Sequence, residues 1–271
     1  NVLCRYDILF SFPQKQIILN FEDIKKKIFL KELDKEWEKN KQKPKKDEST
    51  FPFSGGWFVY LGYELVSQIE NKIISHKHRY NFPIAFASRI PAAIIKDNFN
   101  NETFIICEEK YKGLIKKIEM DVKILLEKKK FLLKEKKIQN KILVDSLREE
   151  LPNNHIKNIN KILKYIKAGD VFQVNLSREW YGKINNKYSA WDIFSKLKKT
   201  NPSPFSGLVI YKNKAIISSS PERLIMVKND YIETRPIAGT RCRGGSGVYD
   251  VALSQDLLNN KKERAEHIML V

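Results

Sequence analysis

The 271-residue sequence predicts an α+β fold, and three observations predict it. Short apolar runs come in pairs separated by turn residues, as in antiparallel hairpins. Such pairs are residues 86–97 with 103–108 around the 98–101 turn, 205–211 with 215–218, and 224–227 with 231–237 around Asn229-Asp230. Other stretches repeat apolar residues at helical spacing, as in Ile156, Ile159, Leu163 and Ile166. Finally, 42% hydrophobic and 30% charged residues are proportions of a globular chain long enough to bury a sizeable core.

Taken in order, residues 5–13 (RYDILFSFP) alternate as a strand entering a sheet. Residues 21–39 place Ile24, Ile28, Leu30, Leu33 and Trp37 at roughly helical intervals, and 39–50 (NKQKPKKDEST and its leading Lys) read as a polar linker. Gly55-Gly56 mark a bend or a close backbone approach before a buried apolar strand over 57–61. No GxxxxGK[ST] or GxGxxG pattern follows them, so they read as core rather than as a phosphate cradle. Residues 111–149 form a Lys-rich helical stretch with Leu114, Ile118, Val122, Leu125 and Leu126 near one face, a surface or bridging helix. Pro152 and Asn153-Asn154 interrupt it, and Asn154 reads as the N-cap of a helix that Gly169 ends. Over 171–180, Phe172, Val174 and Leu176 alternate with Gln173, Asn175 and Ser177, which predicts a strand with one polar face. Trp191, Phe194 and Leu197 give a short helix closed by Asn201-Pro202, and 250–259 and 261–271 read as two more. The expected organisation is an N-terminal subdomain over 1–110, a helical connector over 111–152 and the first part of a second domain over 153–271.

A net charge of +18 raises the question of nucleic acid. The excess is mostly lysine, concentrated over 39–46 and 116–141, and such runs read as solvated faces. No RNA-binding aromatic motif or zinc-finger spacing accompanies them, so no nucleic-acid partner is expected. Cys4, Cys107 and Cys242 are odd in number and widely spaced, which favours reduced thiols and a cytoplasmic location. The four histidines have no zinc-ligand spacing with them, and no apolar run approaches a membrane span.

The stretch 220–245, SPERLIMVKNDYIETRPIAGTRCRGG, organises the rest. Ser220, Pro221 and Glu222 turn into a hairpin whose second strand must end at Pro236, which has no N–H to donate. Gly239 lets backbone approach a ligand closely, and Thr240 and Arg241 add a hydroxyl and a guanidinium. In KKERAEH, Glu263 and Glu266 sit three apart and share a helix face. Two such carboxylates suit a hard divalent cation holding an anionic substrate, but i, i+3 acidic pairs are common on helices and by spacing alone read more often as a solvated face.

SPERLI, RPIAGTRCRG and KKERAEHIMLV, with AGDVFQVNLSREW and TNPSPFSGLVIY upstream, resemble in order and separation the chorismate-utilising enzymes: anthranilate synthase large subunit, aminodeoxychorismate synthase component I, and the isochorismate and salicylate synthases. The resemblance covers about residues 50–271. It implies an anthranilate-synthase-like layered β-sheet sandwich with helices packed outside. It also implies a chain truncated at both ends, which opens on Asn1 rather than Met and stops before the family's C-terminal part. The implied activity is amination of chorismate to 4-amino-4-deoxychorismate, on the way to 4-aminobenzoate and folate, with ammonia from a glutamine amidotransferase subunit. The first alternative is anthranilate synthase component I of tryptophan synthesis, and the further ones are a non-catalytic remnant or a basic nucleic-acid-binding module.

The resemblance implies Mg²⁺ held by Glu266 with Glu263 alongside, and Glu222 as acid or base at the departing C4 hydroxyl. Gly239 and Thr240, with Ala238 beside them, would contact the substrate carboxylate. Gln173 occupies the position where isochorismate- and salicylate-forming members carry a lysine base, which argues against water as the nucleophile. GGWFVYLGYEL and ASRIPAAIIKD look more like aminodeoxychorismate synthase component I. Ala238 points the other way: some aminodeoxychorismate synthases carry a lysine there, thought to attack the ring, and alanine has no nucleophile. Cys242 replaces a usual proline.

Overall fold

The computed structural model describes residues 2–41, 51–77, 80–132, 144–228, 230–245 and 247–271. Most of the linker expected over 39–50, residues 133–143 of the Lys-rich stretch and Asn229 of one turn lie outside them. The chain divides into two compact units, Asn1–Lys136 and Lys137–Val271.

In the first unit the order is β1 (Tyr6–Ser11), β2 (Gln16–Leu19), α1 (Phe29–Asn40), β3 (Gly56–Leu61), α2 (Val66–Ile69), β4 (Ala85–Ile90), β5 (Ala92–Asp97), β6 (Glu102–Cys107) and α3 (Leu114–Leu132). Two antiparallel three-stranded sheets result, β1-β5-β6 and β2-β4-β3. The run expected as one strand over 86–97 is two strands in different sheets. Pro91 separates them because it cannot donate to a ladder, so the chain changes partners there. The 98–101 turn is where the sequence places it, and Asp97 accepts hydrogen bonds from the amides of Phe99 (2.9 Å) and Asn100 (3.3 Å).

Every residue of β4 is buried, and Ala85 and Ala87 leave room for Phe29 of α1 in a core with Ile17, Leu19, Leu65 and Ile84. The helix read over 21–39 starts at Phe29; residues 21–23 form only a 3₁₀ turn. The strand at 57–61 is half-buried rather than buried, with Val59 and Leu61 exposed. Gly55 takes φ +113°, open to glycine alone, and brings the backbone against Glu108: a Cβ there would lie 2.1 Å from Glu108 Oε1. Glu108 is buried and pairs with buried Arg89, which also donates to the carbonyls of Gly56 (2.8 Å) and Ile90 (2.9 Å). At the other end of the β1-β5-β6 sheet, Arg5 donates to buried Asp97 from Nε and from Nη2 (2.6 Å). That ion pair, first through its hydrogen bond, holds the Asp97 carboxyl down at about 2.

The second unit runs β7 (Val144–Glu149), α4 (Pro152–Ala168), β8 (Trp180–Ile184), α5 (Ala190–Thr200), β9 (Phe205–Tyr211), β10 (Lys214–Ser220), β11 (Arg223–Lys228), β12 (Tyr231–Arg235), α6 (Gly247–Asn259) and α7 (Lys261–Leu270). Its strands pair two by two, β7 with β8, β9 with β10, and β11 with β12. Residues 144–149, read as the end of a helix, are a strand, because β8 supplies a ladder more than thirty residues away that local spacing does not report. Leu151, not Asn154, precedes α4, with Pro152 in the first turn, where its missing N–H costs no helical bond. Gly169 ends α4 at φ +80° as expected.

The strand expected over 171–180 is not a ladder strand before Trp180. Alternation signals a face to be covered, but no described strand pairs with residues 171–179, and Phe172 is 86% exposed. The helix at Trp191, Phe194 and Leu197 opens with a capping box in which Ser189 and Asp192 bond each other's backbone N–H. Among the described residues, none beyond Ile118 is buried. Helices beside antiparallel sheets make the fold α+β, and no described helix is long and apolar enough to cross a membrane.

Candidate functional site

The candidate residues gather between the start of β11, the segment 236–241 that follows β12, and the first turns of α7. The Ser220 hydroxyl accepts from the Glu222 amide (3.3 Å) and lies 3.2 Å from the Glu222 carbonyl, which fixes the turn ahead of β11. The β11–β12 hairpin is tied by Glu233, which pairs with Arg235 and Arg223. Arg235, then Arg223, holds the Glu233 carboxyl below its usual range. The strand stops at Arg235, as Pro236 requires. Immediately beyond, the Ile237 amide donates to Glu222 Oε1 at 3.4 Å, so the Glu222 carboxylate is brought to the segment holding Ala238 and Gly239.

Gly239 abuts Glu263. A Cβ on Gly239 would lie 2.2 Å from Glu263 Oε2 and 2.4 Å from Cδ. Glycine is needed there for space, since its backbone is not left-handed. Glu263 is positioned by its helix: the Asn260 side chain caps α7 and accepts from the Glu263 amide at 3.1 Å. An acid in a first turn also meets the positive end of the helix. Arg241 joins the parts, with Nε donating to Asp256 of α6 at 2.6 Å and Nη1 lying 3.7 Å from Glu263 Oε1. These acids, Asp256 first through its hydrogen bond, raise the Arg241 guanidinium above its ordinary value. Gly244 donates to Asp250 at 2.8 Å, so a second acid of α6 holds the far end of the loop.

One turn on, Glu266 accepts from Gln173 Nε2 at 3.4 Å, although the two are 93 residues apart. Thus Glu222, Gly239 and Glu263 converge through the 236–241 segment, Gln173 meets Glu266, and the i, i+3 spacing sets Glu263 and Glu266 on one face of α7. Ala238 is half-buried and Thr240 exposed, each adjoining Gly239 in the chain. No group of three or more His, Cys, Asp or Glu suited to a metal occurs among the described residues. Sequence reasoning missed Asp256, Asn260 and the Ile237 amide. Asn260 had a signal, an N-cap residue three before a Glu ahead of a helix; Asp256 had none.

The family model for chorismate binding enzymes matches residues 4–271. An anthranilate synthase component I-like protein of Synechocystis is 34% identical over 229 residues, 81% of this chain and 44% of that protein. Anthranilate synthase component 1 of Bacillus subtilis is 32% identical over 254 residues, 87% of this chain and 48% of that protein. Aminodeoxychorismate synthase component 1 of the same organism is 45% identical over 113 residues, 42% of this chain and 24% of that protein. The chain thus spans about half the length of the curated relatives that it matches over most of its own. The crystal structure of anthranilate synthase component I from Streptococcus pneumoniae superposes with a TM-score of 0.71 at 22% identity, covering 98% of this chain and 59% of that one, a likeness of fold. With the family model spanning almost all of its residues, the chain belongs to the chorismate binding enzymes.

Proposed function

We propose that the intact protein aminates chorismate to 4-amino-4-deoxychorismate, with ammonia delivered by a glutamine amidotransferase subunit. The observation that carries the reading is the convergence of Glu222, Gly239 and Glu263 on one short segment. In this reading the backbone of Gly239 and the Thr240 hydroxyl hold a substrate carboxylate. Glu222 gives a proton to the departing C4 hydroxyl, which leaves as water while ammonia takes its place on the ring and sheds a proton. Gln173, a neutral amide, offers no base to activate water, which favours ammonia as the nucleophile.

Glu266 and Glu263 fit Mg²⁺ as donors, because that ion takes one or two protein carboxylates and fills its other positions with water and substrate oxygen. When bound, it would supply positive charge against the substrate carboxylate. Support for the 4-amino product comes from GGWFVYLGYEL; the 45% identity to aminodeoxychorismate synthase component 1 over 113 residues is equalled by 46% over 110 residues to an anthranilate synthase component 1 and favours neither product. Anthranilate is the second reading, favoured by Ala238 and by the names of the relatives that match over most of the chain.

The test supplies the intact protein with chorismate, Mg²⁺ and ammonium and identifies the product by mass spectrometry and fluorescence. Aminodeoxychorismate, converted to 4-aminobenzoate by added lyase, is the expected result. Anthranilate with pyruvate would move the protein to the second reading, and no product would refute both. Glu266→Ala should abolish Mg²⁺-dependent turnover, and near-normal activity would refute its role as ligand.

A further inference from the structure

We infer that Arg241 is a positioning residue: anchored by Asp256, it holds the Glu263 carboxylate against Gly239 and so presents that carboxylate in one orientation. Three contacts that do not depend on one another point to it. The first is the 2.6 Å bond from Arg241 Nε to Asp256, which fixes the guanidinium to α6. The second is the approach of Nη1 to Glu263 Oε1 at 3.7 Å, on α7. The third is the packing of the Glu263 side chain over the bare Cα of Gly239.

Both charged partners are sheltered, with side chains 27% and 19% exposed for Arg241 and Glu263. Asp256, at 60%, is the solvent-facing end of the chain of contacts. A guanidinium is suited to this because its planar fork can address two carboxylates on two helices at fixed angles; an ammonium is a single point charge. Arg241 also donates to the Thr240 carbonyl at 3.0 Å, so the loop backbone is part of the same brace. With Arg241 committed to Asp256 and Glu263, its part in the site is to aim Glu263, and substrate contact falls to its neighbours Gly239 and Thr240.

The consequence for ligands rests on the chorismate and Mg²⁺ reading, but the brace itself does not, and the experiment separates them. Arg241→Gln, Arg241→Lys and the milder Asp256→Asn are prepared in the intact protein, with circular dichroism as the check on folding. Amide hydrogen exchange of the 236–244 segment is measured without metal or substrate, Mg²⁺ affinity is measured by titration calorimetry, and steady-state kinetics separate kcat from the KM for chorismate. Exchange of the segment should accelerate in Arg241→Gln and Asp256→Asn. Mg²⁺ affinity should fall by about tenfold or more, the usual cost of losing a group that orients a ligand. Lysine should restore neither fully.

Unchanged exchange in both variants would overturn the brace, whatever the metal does. Faster exchange with unchanged Mg²⁺ affinity would overturn the positioning role. A higher KM for chorismate with Mg²⁺ affinity intact would overturn it too, by making Arg241 a substrate-binding group. A wild-type protein that binds no Mg²⁺ would refute the metal reading and leave the exchange data to decide the brace.

Discussion

Gly239→Ala tests the site at its tightest point. The backbone there is not left-handed, so alanine meets no conformational penalty, and the whole effect comes from the new methyl group. It would lie 2.2 Å from Glu263 Oε2, whereas ordinary contact begins at 3.4 Å, so the carboxylate must withdraw by 3.4 − 2.2, about 1.2 Å. The clash runs from Oε2 back to Cγ, at 2.7 Å, so the whole Glu263 side chain must swing to another rotamer, and the loss of stability should be about 1 kcal/mol. A displacement of about 1 Å at a reacting site commonly costs about 100-fold in rate, and that is the expected loss of chorismate turnover. The assay is turnover with chorismate, Mg²⁺ and ammonium, beside a thermal melt of the same preparation. Turnover within about threefold of wild type, with the melt unchanged, would refute the claim that Glu263 must sit against Gly239.

Two further outcomes concern the first unit. Gly55→Ala combines a φ of +113° with a methyl 2.1 Å from buried Glu108, so strain of about 1–3 kcal/mol adds to about 3–5 for disturbing the Arg89–Glu108 pair. Denaturant unfolding should show this loss, while Gly113→Ala, with nothing within 4 Å, should be near neutral; equal effects would refute the packing argument. The Asp97 carboxyl is held at about 2 against an ordinary 3.8, so the folded chain binds that proton less readily than the unfolded chain. Its stabilisation is complete above 3.8 and is lost as pH falls toward about 2. Unfolding followed from about pH 5 to about pH 1 should therefore show a steeper loss in wild type than in Asp97→Asn, and parallel curves would refute the assignment.

What the sequence made legible was what its neighbours decide. The hairpins β9–β10 and β11–β12 close over short turns, and Gly169 and Pro236 end their elements within one turn of themselves. Pro91 carried a signal too, since a proline inside an apolar run marks a break, and the single strand expected over 86–97 passed over it. β7 was not legible: VDSLRE has no apolar face, and only its distant partner makes it a strand. The 171–179 segment shows the reverse, an alternation without a described ladder. In the site, the spacing of Glu263 and Glu266 gave one helix face, whereas the meetings of Glu222 with Ile237, of Glu263 with Gly239 and of Gln173 with Glu266 are tertiary. Only the family resemblance gave Glu222 and Gln173 a role beforehand, and spacing alone would have left Glu263 and Glu266 a solvated surface.

The pairing of β1 with β5 bears on how the chain leaves the ribosome. Arg5 and Asp97 are 92 residues apart, and the whole register from Tyr6 to Ser11 waits for residues 92–97. At translation speeds of about 5–20 residues per second, that wait is roughly 5–20 s. During it, the apolar residues of the first strand have no ladder partner, and the nascent segment is open to chaperones and to strands of other chains. Synonymous codons that slow translation before residue 97 would lengthen that interval without altering a single side chain.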